Sequence, residues 1–538
     1  MNRCKTSLTI FLFIILQISS ICNSVPLSTS SRWIVDQVTG KRVKLACVNL
    51  VSHLEPMIAE GLEKKPLNHI ASQIVANGFN CVRLTWATFM FTRPEYKSLT
   101  VNQSLDKNNL KAAKSGISKN NPQILNMKII DVHNAVVNEL GKNNLMVVLD
   151  NHVSEPKWCC GSDDGNGFFG DPSFDPKEWL KGLEEVASAY TNNSAVVGMS
   201  LRNELRGKKQ NVADWYKYMQ QGANTIHKQN PNLLVIISGL YYASNLKFLR
   251  KKQLQINVKN KTVYEAHWYS FGIPSQRNWP TQTNQECANI TQAARENYLF
   301  LTQGDNPFPI FLSEFGIDQS GQKEADNRYI SCLFAMVAEY DLDWALWTFQ
   351  GSYMLREGSI DVDETYGVMD HNWNSPRNLG FLKRLQFAKH VNQETKSSRK
   401  IHYMILHPQS GLCVRSKAGR IFLDTCEKAS RWDRHKHGKP IKLVSRSSRC
   451  LAAARDGKAA SVSNDCLSGW EYGSSSGLHL AVGDGQGKYM CLEKNGWDNT
   501  LVTKKCLCVR DDLVDFPTCA DNPQVQWFKF VPTNSEVL

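Results

Sequence analysis

Short β-branched or aromatic runs alternate with longer amphipathic stretches between about residue 43 and residue 350. Such an alternation is typical of a parallel sheet whose strands are joined by helices. The pattern predicts eight strands, at residues 43–50, 80–86, 145–153, 196–204, 233–239, 262–269, 309–316 and 342–350.

The stretch between the third and fourth strands shows why the connections are predicted as helices. Asp175 can cap a helix and Pro176 suits its first turn, while Trp179, Leu183 and Ala187 share one apolar face with Leu180 and Tyr190. Strand–helix units repeated over roughly 350 residues match a (β/α)8 TIM barrel of the α/β class. A doubly wound open sheet is the alternative, but no Gly-x-Gly-x-x-Gly follows the first strand to support nucleotide binding.

Residues 1–24 have the features of a signal peptide. Arg3 and Lys5 precede an apolar run at residues 8–16, and small residues follow at 22–24. The run is too short for a comfortable membrane span of about 20 residues. We therefore expect a secreted, extracellular protein with no membrane segment after signal removal.

Secretion changes how the 16 cysteines are interpreted, because an oxidising compartment favours disulfides over metal or redox sites. Asn-x-Ser/Thr sequons at Asn102, Asn192, Asn260 and Asn289 fit the same compartment. The net charge of +13 could suit nucleic acid, but no long Lys/Arg run concentrates it. We expect no nucleic-acid partner, and the oligomeric state stays open.

After about Gln393 the strands shorten and a cysteine motif recurs three times. The predicted division of the chain is a signal peptide at 1–24, the barrel at 25–395 and a smaller all-β domain at 396–538. Each copy of the motif ends with a tryptophan, at Trp432, Trp470 and Trp527, which suits a three-lobed β domain. The candidate disulfides are Cys413 with Cys426, Cys450 with Cys466, and Cys491 with Cys506.

Two predicted strand ends carry glutamates that would meet in the mouth of a closed barrel. Glu204 follows Arg202 and Asn203 on the fourth strand, and Glu314 lies in Ser-Glu-Phe-Gly on the seventh. Cleavage of a glycosidic bond with retention needs such a pair, one residue to protonate the leaving oxygen and one to attack the anomeric carbon.

Together with other strand ends, these residues resemble glycoside hydrolase family 5, the cellulase-like enzymes. The residues in family order are Arg83, His152, Asn203, Glu204, His267, Tyr269, Glu314 and Trp347. The resemblance implies that Glu204 is the acid/base, with a raised pKa, and Glu314 the nucleophile, kept ionised by Arg83 and Tyr269. It also implies that Asn203 holds the sugar 2-hydroxyl.

The remaining residues have two interpretations each. By the resemblance His152 and His267 line the sugar subsite and Trp347 stacks on the pyranose ring, whereas alone they would be structural histidines and a core tryptophan. The histidines have no third ligand at convincing spacing, so no metal and no cofactor are expected. The loop at 158–167 is predicted to be tethered by a disulfide over the mouth, with Trp158 as a second sugar platform.

The sequence departs from the family at Leu205 and Val153, where many members carry Pro and Asn, and this affects substrate assignment.

The C-terminal repeat resembles ricin B-type β-trefoil lectins, but their Gln-x-Trp signature is replaced by Ser430, Ser468 and Val525 two positions before each tryptophan. Sugar binding by that domain is left open.

The predicted function is that of a retaining glycosidase that cleaves a β-linked polysaccharide or oligosaccharide, with a β-1,4-glucan favoured. The alternatives are a carbohydrate-binding protein with an inactive barrel and a transglycosylase acting on β-mannan or another wall glycan.

Overall fold

The computed structural model describes residues 26–271, 279, 281–395, 398–434, 438–483, 489–509 and 523–535. The predicted signal peptide lies outside these residues. The described chain begins with an antiparallel hairpin of β1 (Leu27–Ser30) and β2 (Trp33–Asp36).

Eight parallel strands of the described chain then close into a barrel, with the last strand pairing with the first. All eight were predicted, because buried parallel strands are read as short, nearly continuous apolar runs. They are β3 (Ala46–Leu50), β4 (Cys81–Ala87), β5 (Met146–Val153), β6 (Val196–Ser200), β7 (Leu234–Ser238), β8 (Thr262–Trp268), β9 (Ile310–Phe315) and β10 (Asp343–Leu346). The carboxyl ends of two strands were predicted too late: β6 ends at Ser200 and β10 at Leu346, so Glu204 and Trp347 lie in the loops beyond them.

Helices connect the strands and pack around the barrel. They are α1 (Leu67–Ala76), α2 (Thr88–Thr92), α3 (Pro94–Lys97), α4 (Val101–Lys107), α5 (Lys111–Asn120), α6 (Ile129–Lys142), α7 (Pro176–Ala189), α8 (Val212–Gln229), α9 (Leu240–Ala243), α10 (Thr283–Asn297), α11 (Glu324–Tyr340) and α12 (Leu379–Arg384). The predicted cap of α7 is confirmed, since the Asp175 side chain accepts a hydrogen bond from the backbone N–H of Lys177. Within the described part of the chain, no helix is long and apolar enough to cross a membrane.

The barrel interior contains an apolar cluster drawn from the first halves of the strands, including Cys47, Val148 and Val263. Leu27 and Ile34 of the β1–β2 hairpin belong to the same cluster. The hairpin therefore closes the amino-terminal end of the barrel, and the carboxyl end is left open for a site.

Beyond β10, a hairpin of β11 (Ser352–Arg356) and β12 (Ser359–Asp363) stands beside this open end. The C-terminal region then forms two antiparallel sheets among the described residues. Their strands are β13 (His402–His407), β14 (Leu412–Lys417), β15 (Arg420–Asp424), β16 (Trp432–Asp433), β17 (Lys442–Leu443), β18 (Cys450–Ala452), β19 (Lys458–Ala459), β20 (Ser461–Ser463), β21 (Trp470–Tyr472), β22 (Leu480–Gly483), β23 (Tyr489–Lys494), β24 (Leu501–Lys505) and β25 (Lys529–Thr533).

Disulfides close each of the three C-terminal repeats in the pairs that the sequence favoured, and the tryptophans at their ends are buried. Further disulfides join β3 to β4, through Cys47 and Cys81, and α10 to α11, through Cys287 and Cys332.

The C-terminal sheets and the barrel share one apolar core, which includes Trp527 and Val531 from the former and most of α11 from the latter. Asn284 on α10 lies at the centre of the contact. Its Oδ1 accepts hydrogen bonds from Trp527 Nε1 at 3.1 Å and from Ser476 Oγ at 2.8 Å. At the edge, Lys529 forms an ion pair with Glu339 at 2.8 Å. The two parts are therefore packed against each other rather than joined by a free linker.

Candidate active site

The two predicted glutamates meet at the open end of the barrel. Glu314 is the second-to-last residue of β9, and its side chain points into the barrel because side chains alternate between the two faces of a strand. Glu204 lies in the loop after β6. One oxygen of each carboxyl group and a ring nitrogen of His267 all lie within 4.8 Å of one another. Both glutamates are largely buried, with 9% and 5% of their surface exposed for Glu204 and Glu314 respectively.

Glu314 is held by two donors. Arg83 Nη1 contacts Glu314 Oε1 at 2.8 Å, and the Tyr269 hydroxyl donates to Oε2 at 3.1 Å. Burial raises the pKa of Tyr269 well above its usual range, so this hydroxyl remains a donor. Both contacts favour the charged form of Glu314.

Arg83 is fully buried at the centre of the barrel mouth, surrounded by acidic and amide side chains. Besides Glu314, it contacts Asp150 at 2.9 Å, Glu265 at 3.5 Å and the Asn203 Oδ1 at 2.8 Å. A buried guanidinium needs such partners, since an unpaired charge away from water is costly. The same arginine therefore positions the amide of Asn203 and the carboxylate of Glu314.

Glu204 has a different environment. Its Oε1 lies 2.8 Å from Nδ1 of His267, whose Nε2 lies 3.0 Å from the Ser313 hydroxyl. Burial lowers the pKa of His267, so the imidazole is neutral near pH 7. A neutral imidazole can donate to an ionised Glu204 or accept from a protonated one, with the Ser313 hydroxyl adjusting at the other nitrogen.

Burial raises the pKa of both Glu204 and Glu314 to about 7. Arg83 opposes the shift at both residues, and Arg206 adds to this at Glu204. The first negative charge of the pair belongs on Glu314, because Glu314 has the direct arginine contact and the phenol donor. Glu204 then keeps its proton below its pKa of about 7.

Asn203 and His152 form the adjacent wall of the mouth. Asn203 Nδ2 lies 3.3 Å from His152 Nε2, and His152 Nδ1 lies 2.6 Å from Asp150 Oδ2. Burial lowers the pKa of His152 well below its usual range, so Nδ1 donates to Asp150 and Nε2 accepts from Asn203. Trp347 stacks at 5.6 Å on the same imidazole.

These residues line a cleft of about 1040 Å³. Every site residue predicted from the sequence except Arg83, which lies beneath its floor, is at the surface of this cleft. Trp158 is among them, but Arg356 on β11 covers one face of its ring at 3.7 Å, so only the rest of the ring is available.

The prediction that a disulfide tethers the 158–167 loop was wrong. Cys159 pairs with Cys160, its neighbour in sequence, and a bond between adjacent residues cannot join the loop to another segment. Backbone and side-chain contacts hold the loop instead, among them Arg206 Nε to the Gly161 carbonyl at 2.9 Å.

Several residues that line the cleft were not predicted from the sequence. Tyr241 and Tyr242 follow β7 with positive φ angles of 54° and 58°, an arrangement that non-glycine residues rarely adopt. Arg356 and Glu364 come from the β11–β12 hairpin and the residue after it, which lie outside the repeating strand–helix pattern. A tyrosine pair after a predicted strand end is the one clue that could have been used.

The Glu204, His267 and Glu314 set also has the spacing of a metal site. The guanidinium of Arg83 already provides the positive charge at Glu314 that a cation would supply. The residues present therefore fit proton transfer better than metal binding.

Comparisons with known proteins agree with this geometry. The family model Cellulase (glycosyl hydrolase family 5) matches residues 39–352. A glycosyl hydrolase 5 family protein of Chamaecyparis obtusa is 43% identical over 98% of this chain and 96% of its own length, so it includes both parts of the molecule. An endoglucanase of Paenibacillus polymyxa is 22% identical over 65% of this chain and 84% of its own.

Among solved structures, the hyperthermophilic endocellulase of Pyrococcus horikoshii has the same barrel fold. Its TM-score is 0.54 at 17% identity, over 67% of this chain and 98% of that one. The family model and the 43% identical relative together show that the chain belongs to glycosyl hydrolase family 5 and is a glycoside hydrolase.

Proposed function

We propose that this protein is a secreted retaining endo-glycosidase that cleaves a β-1,4-glucan, with Glu314 as nucleophile and Glu204 as acid/base. The observation that carries the proposal is the closeness of the two carboxyl groups, since one oxygen of each lies within 4.8 Å of the other. Retaining glycosidases hold their carboxyl groups about 5–5.5 Å apart, whereas inverting enzymes leave about 6.5–9.5 Å for a water molecule.

In the first step a Glu314 oxygen attacks the anomeric carbon and forms a covalent ester bond. The bond from that carbon to the leaving oxygen breaks, and the proton of Glu204 moves to this oxygen. Arg83 holds the Oδ1 of Asn203 at 2.8 Å, and one hydrogen of the NH2 group is bonded to His152, so the other can donate to the sugar 2-hydroxyl.

In the second step Glu204 takes a proton from water as the water oxygen attacks the anomeric carbon and the Glu314 ester bond breaks. The configuration is retained because two inversions occur in sequence. His267 is suited to both steps, since its neutral ring can bond either protonation state of Glu204. A sugar hydroxyl that replaces water would give transglycosylation by the same route.

The aromatic lining of the cleft supports a carbohydrate substrate. Its aromatic residues include Trp158, Trp347, Tyr241, Tyr242 and Tyr366, and such rings stack on the apolar faces of sugars. The endoglucanase name of one relative, and the endocellulase name of a protein with the same fold, favour β-1,4-glucan over other glycans.

Secretion is supported by the disulfides of both parts of the chain, which persist in oxidising compartments. Three of the predicted glycosylation sites, Asn192, Asn260 and Asn289, are exposed. For the C-terminal region we retain a β-trefoil as the proposed fold, on its three disulfide-closed repeats. Its contact with α10 and α11 favours a stabilising role over a separate sugar-binding one.

The test is hydrolysis of a panel of β-glucans, mannans and xylans, with the anomeric configuration of the products followed by NMR. We expect activity with retention on a β-1,4-glucan, lost in Glu314→Gln and kept in the matched surface variant Glu296→Gln. A wild type that binds a glycan without cleaving it would favour the carbohydrate-binding alternative. Inverted products would exclude the retaining mechanism.

A further inference from the structure

We propose that the Cys159–Cys160 disulfide is an apolar wall of the sugar subsite beside Asn203, and that the enzyme needs it for substrate recognition rather than for folding. The inference rests on the proposed function, because it assigns a role within the same cleft. It makes these two cysteines specificity-determining residues.

The disulfide lies against the amide that is expected to hold the sugar. The Sγ atoms of Cys159 and Cys160 are each 3.8 Å from Asn203 Nδ2. Both residues line the cleft together with His152 and Glu204. A sugar bonded to the Asn203 amide must therefore approach these sulfur atoms.

A bond between neighbouring residues contributes little to folding. A disulfide stabilises a protein mainly by closing a loop in the unfolded chain, and the effect grows with the length of that loop. The sequence separation here is 1, compared with 16 for Cys450 and Cys466. Some other role must explain why two adjacent cysteines occupy this position.

The loop that carries the pair is held by other contacts. Asn166 Oδ1 accepts hydrogen bonds from the backbone N–H groups of Ser154 at 2.9 Å and Glu155 at 3.2 Å. Lys157 Nζ donates to the Asp164 carbonyl at 2.7 Å, and Arg206 forms an ion pair with the Asp164 carboxylate. The disulfide is thus presented on a loop that is already fixed.

The chemistry of the group suits a wall against a sugar. A disulfide has no hydrogen to donate and its sulfurs are only weak acceptors, so the Asn203 N–H that is not bonded to His152 stays available to a hydroxyl. Its polarisable surface can pack on sugar C–H groups. Two separate thiols could rotate independently and donate weakly, which would loosen the packing around Asn203.

The first test compares the double variant Cys159→Ala/Cys160→Ala with Cys450→Ala/Cys466→Ala. We expect the first to raise KM for cello-oligosaccharides about tenfold with its Tm nearly unchanged, as for lost packing at a binding site. We expect the second to lower Tm and leave KM unchanged, because it opens a longer loop. A KM within twofold of wild type in the first variant would overturn the proposal, as would a fall in Tm large enough to account for the loss.

The second test uses the intact protein and a dithiol such as dithiothreitol. The dithiol gives two electrons and two protons to the disulfide, leaves two thiols and becomes a cyclic disulfide itself. Differential alkylation and peptide mass analysis would identify the pair that is reduced. We expect KM to rise when Cys159 and Cys160 are reduced and to recover on reoxidation; an unchanged KM would contradict the inference.

Calorimetric titration with cellotetraose separates this inference from the proposed function. If the wild type binds the oligosaccharide without cleaving it, the hydrolase assignment fails. Weaker binding by the Cys159→Ala/Cys160→Ala variant would still support a contact between the disulfide and the sugar. Equal binding by the variant, or no binding by the wild type, would overturn the proposal that the disulfide contacts the sugar.

Discussion

His267 Nδ1 lies 2.8 Å from the Oε1 of Glu204. The imidazole is the nearest polar partner of that carboxyl group, whereas Glu314 is bonded by Arg83 and Tyr269. The two glutamates are therefore chemically different although burial raises the pKa of each to about 7. Their different partners underlie the first two predictions.

Glu204→Ala is expected to affect substrates according to their leaving groups. A dinitrophenyl glycoside needs no protonation, so its cleavage to the glycosyl-enzyme should slow far less than that of a cello-oligosaccharide, for which we expect a fall in kcat of about 10²–10⁴. Added azide should restore turnover and give a β-glycosyl azide, detected by NMR. In Glu314→Ala, azide would instead give the α product; a β product there would reverse the two assignments.

Glu204→Gln is expected to change how stability depends on pH. Folding raises the pKa of this acid from about 4.5 to about 7, so between these values the folded state holds a proton that the unfolded chain has released. This group therefore makes stability fall as pH rises through that window. The Tm of Glu204→Gln should match wild type near pH 4 and exceed it by roughly 2–5 °C at pH 8. Calorimetry at both pH values, with Glu296→Gln as control, would refute the assignment if the difference were independent of pH.

Chelation is expected to leave activity unchanged. Arg83 contacts Glu314 at 2.8 Å and supplies a fixed positive charge that a metal ion would duplicate. Prolonged dialysis against EDTA should change kcat/KM by less than about twofold, which is within the scatter expected for a step that uses no metal. Loss of activity that Zn²⁺ or Ca²⁺ restores would show that the carboxylate–histidine set binds an ion.

Tyr241→Gly is expected to separate binding from stability. The side chain is 57% exposed in the cleft, and its backbone has a φ of 54°, which costs glycine less than tyrosine. We expect an unchanged or higher Tm together with a KM that rises several-fold for long oligosaccharides, through the lost ring contact. Val38→Gly, at an exposed site far from the barrel mouth, is the control. An unchanged KM would remove Tyr241 from the substrate site.

Trp527→Phe is expected to destabilise the whole molecule. It removes the 3.1 Å bond from Nε1 to Asn284 and leaves unfilled volume in the shared core, with a cost of about 1–3 kcal/mol. Trp497→Phe is the matched control because Trp497 is 96% exposed. Denaturation should show one transition, seen equally in activity and in circular dichroism. Loss of C-terminal structure with full activity would show that the two parts unfold independently.

The barrel could be predicted from sequence because its strands are short apolar runs, and such runs are recognised from residues that are neighbours in the sequence. The glutamates could be predicted because parallel strands bring their carboxyl ends together. The position of Glu204 differed because β6 ends at Ser200, and where a strand stops depends on its neighbours' hydrogen bonds rather than on its own residues.

Other features could not be predicted because they depend on distant parts of the chain. Asp150 and Glu265 gave no signal of their own, yet they balance the charge of Arg83. Cysteine counting gave an even number but could not pair Cys159 with its neighbour. The contact of Asn284 with Trp527 joins residues 243 positions apart in the sequence. The sequence around either residue does not indicate that the two are in contact.

Because the two parts share this core, the barrel depends on β25 for the burial of its own apolar surface. A chain cut short before β25 would expose the apolar face of α11, including residues that now pack beside Val531. Exposed surface of this kind is what chaperones and proteases act on when they triage unfinished proteins. Stop codons placed before β25 should therefore lower the amount of folded enzyme instead of yielding a smaller active one.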